Sequence, residues 1–383
     1  MRIPLRTLRS LVAAIAVSTL ALATASGAGA ATFEVTRTDD PFPDGCAATD
    51  CSLREATLAA AEAQGGDEIV LLAGPGPYEL AQANLLPEGE DDGLSGDLDV
   101  EGGGLKISRT AGRYATIDAN GLDRVLDVTA GDGLKLGRLT LTGGASDGAG
   151  GAIRTEANLS LKRVTVRANS ASGAGGALSV GAGTARVRSS ALSDNFAERG
   201  GAIAVEPGAR LSAINSTLAR NRSTGGGGAV HAEGSVVLNA VTVAYNVADL
   251  DADSIGAGGG LASDRGAFVL ENSLIASNRL GSGERSDCAG SFDSDGDNLL
   301  RALDPAGCTG IDFAGDILTL RPRIGNLRDN GGPTRTVGLK RRSPALDEAG
   351  SQSSPRRDQR DLKRDELPDI GAYERLARPG RDG

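Results

Sequence analysis

The feature that most limits how this chain can fold is a repeat between Gly150 and Asn278. Gly150-Gly151-Ala152-Ile153 recurs as Gly175-Gly176-Ala177-Leu178, Gly200-Gly201-Ala202-Ile203, Gly227-Gly228-Ala229-Val230 and Gly259-Gly260-Leu261, with first glycines 25, 25, 27 and 32 residues apart. Asn169, Asn195, Asn221, Asn246 and Asn278 keep step, spaced 26, 26, 25 and 32. A fixed period in the twenties is the mark of a solenoid. Within each unit, apolar residues occupy fixed offsets before the Asn. Leu161, Val187, Ala213, Leu238 and Leu270 stand eight residues ahead, and Val166, Leu192, Leu218, Val243 and Ile275 three ahead. Two runs of period 2 meet at a corner, and the glycine-led run adds a third. Gly-rich bends and runs too short for helices make the fold class all-β: a right-handed parallel β-helix solenoid with three short strands per coil. The Asn residues form an inward ladder whose amides satisfy one another and the buried turn backbone.

Residues 1–30 read as a signal peptide: Arg2, Arg6 and Arg9, an apolar core Leu11 to Leu22, then Ala28-Gly29-Ala30. Removing three arginines and no acids takes the net charge from −10 to −13. Such an acidic exported chain excludes nucleic acid as a natural partner, and no membrane span is expected in the mature chain. Cys46, Cys51, Cys288 and Cys308 are an even set. The pairs 46–51 and 288–308 are the natural local disulfides, although four cysteines allow three connectivities.

Residues 31–72 read as an N-terminal cap, with a strand Phe33 to Thr38, a helix from Leu53 to about Gln64, and a second strand Ile69 to Leu72. Ser52 and Glu55 fit a capping box at the helix start. The string CSLREAT at 51–57 resembles the CSLREA-domain family of bacterial exported proteins. The GGA ladder is similar to the repeats of chlamydial polymorphic outer-membrane proteins. Residues 73–290 are assigned to the β-helix. Leu105, Ile107, Ala115 and Ile117 form one degraded rung and Leu134, Leu136, Leu139 and Leu141 another, with Gly144 in the Asn position. Glu88 to Asp99 is read as an acidic loop.

In 291–374, Asp329 to Thr334, Ser343 to Asp347, Asp358 to Arg360 and Asp369 to Glu374 follow in order. Together they resemble the choice-of-anchor Q domain of bacterial surface proteins. Arg342 and Asp361 stand where that family usually has Gly, so altered turns are expected at both. A short polar tail, 375–383, carries no sorting motif.

Chemistry is sparse. Asp293, Asp295 and Asp297 are the weak Ca²⁺ candidate, against a solvated acidic turn; no other cofactor is expected. The outward position of the glycine-led strands reads Arg154, Ser179, Ala204, His231, Ala262, without a carboxylate pair. His231 has no aligned partner and reads as exposed decoration. Glu156, Glu206 and Glu233 share an offset interrupted by Gly181, at a turn. Lys162, Arg163, Arg186 and Arg188 form a basic patch, read as a solvated face. Asp347, Asp358, Arg360, Asp369 and Glu374 read as turn scaffolding. Without Trp and with four Tyr, ring-stacking sugar subsites are scarce. The implied role is secreted or cell-surface adhesion, binding or structure, without catalysis. Its partner would be an extracellular glycan or a cell-surface protein. The alternative is a carbohydrate-active enzyme on the same scaffold.

Overall fold

The computed structural model describes residues 29–63, 65–72, 74, 76–83, 93–109, 114–129, 131–300, 307–309 and 315–376. The expected signal peptide but for its last two residues, the acidic stretch 84–92 and the end of the tail lie outside them. The described strands between Thr32 and Leu318 wind into a right-handed parallel β-helix of about eight turns. Like positions of successive coils pair in register.

A first sheet stacks strands Thr32–Val35, Glu68–Leu71, Leu105–Ser108, Leu134–Gly137, Leu159–Lys162, Thr184–Arg188, Arg210–Ile214, Ser235–Asn239 and Ala267–Glu271. A second stacks Leu98–Val100, Leu126–Val128, Ile153–Thr155, Leu178–Val180, Ile203–Val205, Val230–Ala232 and Leu261–Ser263. The long strand Cys288–Ser294 continues both, and Cys308–Thr309 pairs with it in turn. A third sheet of ten short strands ends at Ile317–Leu318. A fourth ladder of two-residue strands, Ala145–Ser146 to Arg279–Leu280, follows each Asn and was not expected from the sequence. Leu98–Val100 belongs to the second sheet, so the C-terminal end of the expected acidic loop is a rung. The solenoid also continues past 290, and its character changes only after 318.

The corners differ from expectation too. Glycine was to make the bends, yet the residues six and one before each Asn take left-handed backbone without being glycine. Arg163, Ser189, Asn215, Ala240 and Asn272 form one corner, and Ala168, Asp194, Arg220, Tyr245 and Ser277 the other. Each such residue costs about 1–2 kcal/mol; the side-chain ladders that follow offset it. Asn169 Nδ2 donates to Asn195 Oδ1 at 3.0 Å, Asn195 to Asn221 at 2.9 Å, Asn221 to Asn246 at 3.0 Å and Asn246 to Asn278 at 2.9 Å. The same Oδ1 atoms accept the backbone amide one rung earlier. Asp287 ends the ladder, its Oδ1 accepting both the amide and Nδ2 of Asn278. A carboxylate suits a terminus because it accepts without needing a further rung to donate to. Ser190, Ser216 and Ser273 serve the first corner similarly, and Asn298 and Asp316 extend that run.

Glycine is demanded elsewhere. A Cβ on Gly151 would lie 2.4 Å from the carbonyl oxygens of both Gly176 and Ser170. In the fifth unit the left-handed glycine is Gly258, equivalent to Gly227 and 31 residues on (258 − 227), so Gly260 takes the alanine position.

The helix Leu53–Ala63 covers the N-terminal end of the core. The capping box forms: Glu55 accepts the Ser52 amide at 2.7 Å, and Ser52 Oγ accepts the Glu55 amide at 3.2 Å. Arg54 is fully buried. It grips Asp40 with two bonds of 2.9 and 3.0 Å and donates to the carbonyls of Gly93, Gly96 and Asp97. A buried guanidinium needs such saturation. Both local disulfides form, Cys46–Cys51 and Cys288–Cys308, with Cα separations of 4.4 and 5.3 Å.

The C-terminal residues fold back along the solenoid. An antiparallel hairpin, Ile324–Arg328 with Thr336–Leu339, and the turns to 376 lie on the outer face of the third sheet. Ile324, Leu327, Val337, Leu339, Ala345 and Ile370 bury Ala219, Ala244, Leu274 and Ala276 beneath them. The four motifs are the docking apparatus. Gln359 accepts from Thr217 Oγ1 at 2.6 Å and donates to Thr334 Oγ1 at 2.8 Å; the Ala372 amide donates to Thr242 Oγ1 at 3.0 Å. Asp358 pairs with Arg360, and Glu374 with Arg364 at 3.0 Å, all buried. Arg342 and Asp361 have φ of +62° and +71°. Both turns keep the left-handed conformation that glycine would take freely.

Candidate functional site

The C-terminal layer covers the third sheet over its later rungs; on another side of the coil stand the second sheet, with most of its outward row buried, and its turns. Register extends the outward row beyond the five residues legible in the repeat: Asp99, Asp127, Arg154, Ser179, Ala204, His231, Ala262. A carboxylate pair on adjacent rungs, expected to be absent, therefore stands at the N-terminal end. Its rungs lack the GGA and Asn marks, so the repeat does not place it. Asp127 is held by Arg154 through bonds of 3.0 and 2.5 Å, and Arg124 reaches Asp97 at 2.5 Å and Asp127 at 3.4 Å. Burial pushes the Asp97 carboxyl up to about 6, against the pull of Arg124. Asp97 and Asp127 are nearly inaccessible, and Arg124 also binds Ala149 O and Ser146 Oγ. This network ties rungs together and offers a substrate little.

The other end is open. Between the turn 254–257 and the sheet lies a cleft of about 560 Å³. Its floor is small residues, among them Gly226, Ala262, Ala289 and Gly290, and its rim carries Glu198, Arg199, His231 and Asp264. His231 is 5% exposed and its Nε2 lies 3.1 Å from Asp264 Oδ2. The expectation of an unpartnered, exposed His231 is corrected: Asp264 sits one rung on and two residues further along, an offset that a same-position comparison misses. Arg199 meets Glu233 at 3.7 Å. Glu156, Glu206 and Glu233 all follow the second-sheet strands in turns, as expected.

The turn that walls the cleft is the insertion that lengthens the fifth unit. It carries Asp249, Asp251 and Asp253, whose carboxylate oxygens lie within 4.8 Å of one another. That is a hard-cation donor set by chemistry. Asp249 and Asp253 also accept the amides of Ser254 and Ile255, at 3.1 and 2.8 Å, so the carboxylates brace the turn. The sequence search went to Asp293, Asp295 and Asp297 instead. These are not brought together: Asp293 is exposed on a strand, Asp295 follows it, and Asp297 turns toward Gly350. Among the described residues, the trio at 249–253 is the group of acids that converges. Its alternating Asp-x-Asp-x-Asp pattern is the sequence signal for it.

No family model and no curated protein matches this chain. Among solved structures, the crystal structure of pectate lyase Pel9A is similar, with a TM-score of 0.56 and 13% identity over 90% of this chain and 96% of that one. The likeness is one of fold. Among the described residues no helix is long and apolar enough to cross a membrane.

Proposed function

We propose that this chain is an exported protein with a non-catalytic binding role, which holds an extracellular glycan in the cleft beside the turn 254–257. The observation that carries this reading is the cleft's make-up: a floor of small residues and a charged rim on which His231 and Asp264 pair. Such a trough admits an extended chain and gives hydroxyls their partners. On this reading the CSLREA-like motif works as a cap, with Ser52, Arg54 and Glu55 buried in it, and the choice-of-anchor-Q-like motifs seat the C-terminal layer through Thr334 and Gln359. Two disulfides fit an oxidising compartment outside the cytosol.

A second reading, a polysaccharide-degrading enzyme, is favoured by the carboxylates of Asp249, Asp251 and Asp253 beside the cleft and by the shared fold with a pectate lyase. One experiment separates the two. The purified chain is offered neutral and acidic polysaccharides with Ca²⁺ or with EDTA, and both retention and release of new chain ends are measured. Retention of a neutral polysaccharide without new ends, lost in His231→Ala/Asp264→Ala, supports the binding role. Chain cleavage abolished by EDTA or by Asp251→Asn/Asp253→Asn refutes it.

A further inference from the structure

A separate surface, on the first sheet, carries charge of the opposite sign to the whole chain. Register aligns Lys106, Lys135, Ser160 and Arg186 in one outward row, and Gly137, Lys162 and Arg188 in the next. Arg109, Arg138 and Arg163 stand at the adjoining corner, around a shallow depression of about 300 Å³. The chain carries a net charge of −10, so composition alone does not gather these cations here. Glu68 pairs with Lys106 at 2.7 Å and Asp361 with Arg163 at 3.1 Å, and Arg109 and Arg138 have partners of their own. Lys135, Lys162, Arg186 and Arg188 are exposed and have no ion-pair partner among the described residues.

Directly stacked like charges destabilise a sheet. Lys106 above Lys135 and Lys162 above Arg188 are such stacks, one rung or roughly 4.8 Å apart. A cost borne at two positions, on a flat surface with charges at rung spacing, suits a ligand that carries anions at regular intervals. We infer that this face binds a linear acidic polysaccharide laid along the solenoid axis, its carboxylates meeting successive cations and its hydroxyls meeting Ser160 and Ser212. Nucleic acid fits less well. Beside the patch a single partly buried Tyr114 adjoins Arg138 and Arg163, short of a stacking platform for successive bases, and the acidic remainder of the protein repels a duplex of high charge density.

The site lies on a different sheet from the cleft, so the two can be tested apart. Binding of the full mature chain to polygalacturonate is measured by affinity electrophoresis and calorimetry at low and physiological salt. Expected is salt-sensitive binding, weakened about tenfold or more in Lys135→Glu/Arg186→Glu. The change should stay within about twofold in Lys340→Glu/Arg341→Glu, which alters net charge equally on the C-terminal layer. His231→Ala/Asp264→Ala should leave it intact. Lys162→Gln/Arg188→Gln provides a milder variant should charge reversal disturb folding, and circular dichroism confirms the coil in each. Absence of binding, an equal loss in the control variant, or tighter binding of single-stranded or duplex DNA than of polygalacturonate would overturn the inference.

Discussion

Replacing Asn221 by Ala tests the idea that the ladder offsets the cost of left-handed corners. Asn221 is fully buried. Its Oδ1 accepts the Asn195 amide at 3.2 Å and Asn195 Nδ2 at 2.9 Å; its Nδ2 donates to Leu192 O and Asn246 Oδ1, each at 3.0 Å. Truncation removes four bonds. It strands the Asn195 amide, whereas Asn195 Nδ2 keeps Val166 O and Asn246 Oδ1 keeps the Asn221 amide. Counting two to three impaired buried groups, the loss is about 3–5 kcal/mol. Asn221→Asp refines the test. Its second oxygen would face Leu192 O and Asn246 Oδ1, two acceptors, and the buried carboxyl would hold its proton more tightly than in the unfolded chain. The variant should then be near wild type in acid and lose stability as pH rises past the ordinary carboxylate range. Urea unfolding followed by circular dichroism gives the size of the effect, and hydrogen exchange at the Asn195 amide localises it. A loss under about 1 kcal/mol for Asn221→Ala, or a pH-independent deficit for Asn221→Asp, would refute the reasoning.

The buried acids of the C-terminal layer carry a pH dependence of the same sign. Burial raises Asp369 to about 7 and Glu374 in the same direction. Folding there binds protons, so the stability it contributes is full below the ordinary value and fades as pH rises from about 4 through about 7. Limited proteolysis of residues 324–376 should be faster at pH 8 than at pH 5, and the contrast should shrink in Asp369→Asn. Arg342→Gly should raise the midpoint of thermal unfolding by relieving a left-handed non-glycine residue, worth about 1 kcal/mol; an unchanged or lower midpoint would mean that Arg342 makes a compensating interaction.

Much of the solenoid was legible because its physics is periodic. Each Asn must meet the Asn one rung away, each GGA must pass the next backbone, and so the spacing itself records the coil. The capping box at Ser52 and Glu55 was equally local, three residues apart. What could not be read is whatever joins positions with no common offset. Left-handed corners at Arg163 or Tyr245 leave no compositional trace, because the stabilising bonds come from neighbouring rungs and not from the corner residue. Asp264 reaches His231 across a rung and two positions. Asp99 and Asp127 align only once the degraded rungs are placed.

By itself, then, the sequence determined the β-helix, its Asn ladder and its N-terminal cap, since these depend on repetition and short-range chemistry. Only the tertiary structure decided which faces remain open. Residues 324–376 return to bury the later rungs of the third sheet through contacts such as Thr217 with Gln359, 142 residues apart. That choice leaves the cleft at His231 and the cationic rows at Lys135 and Arg186 as the surfaces where a partner can sit. Long-range docking of this kind has no period, so no pattern along the chain announces it.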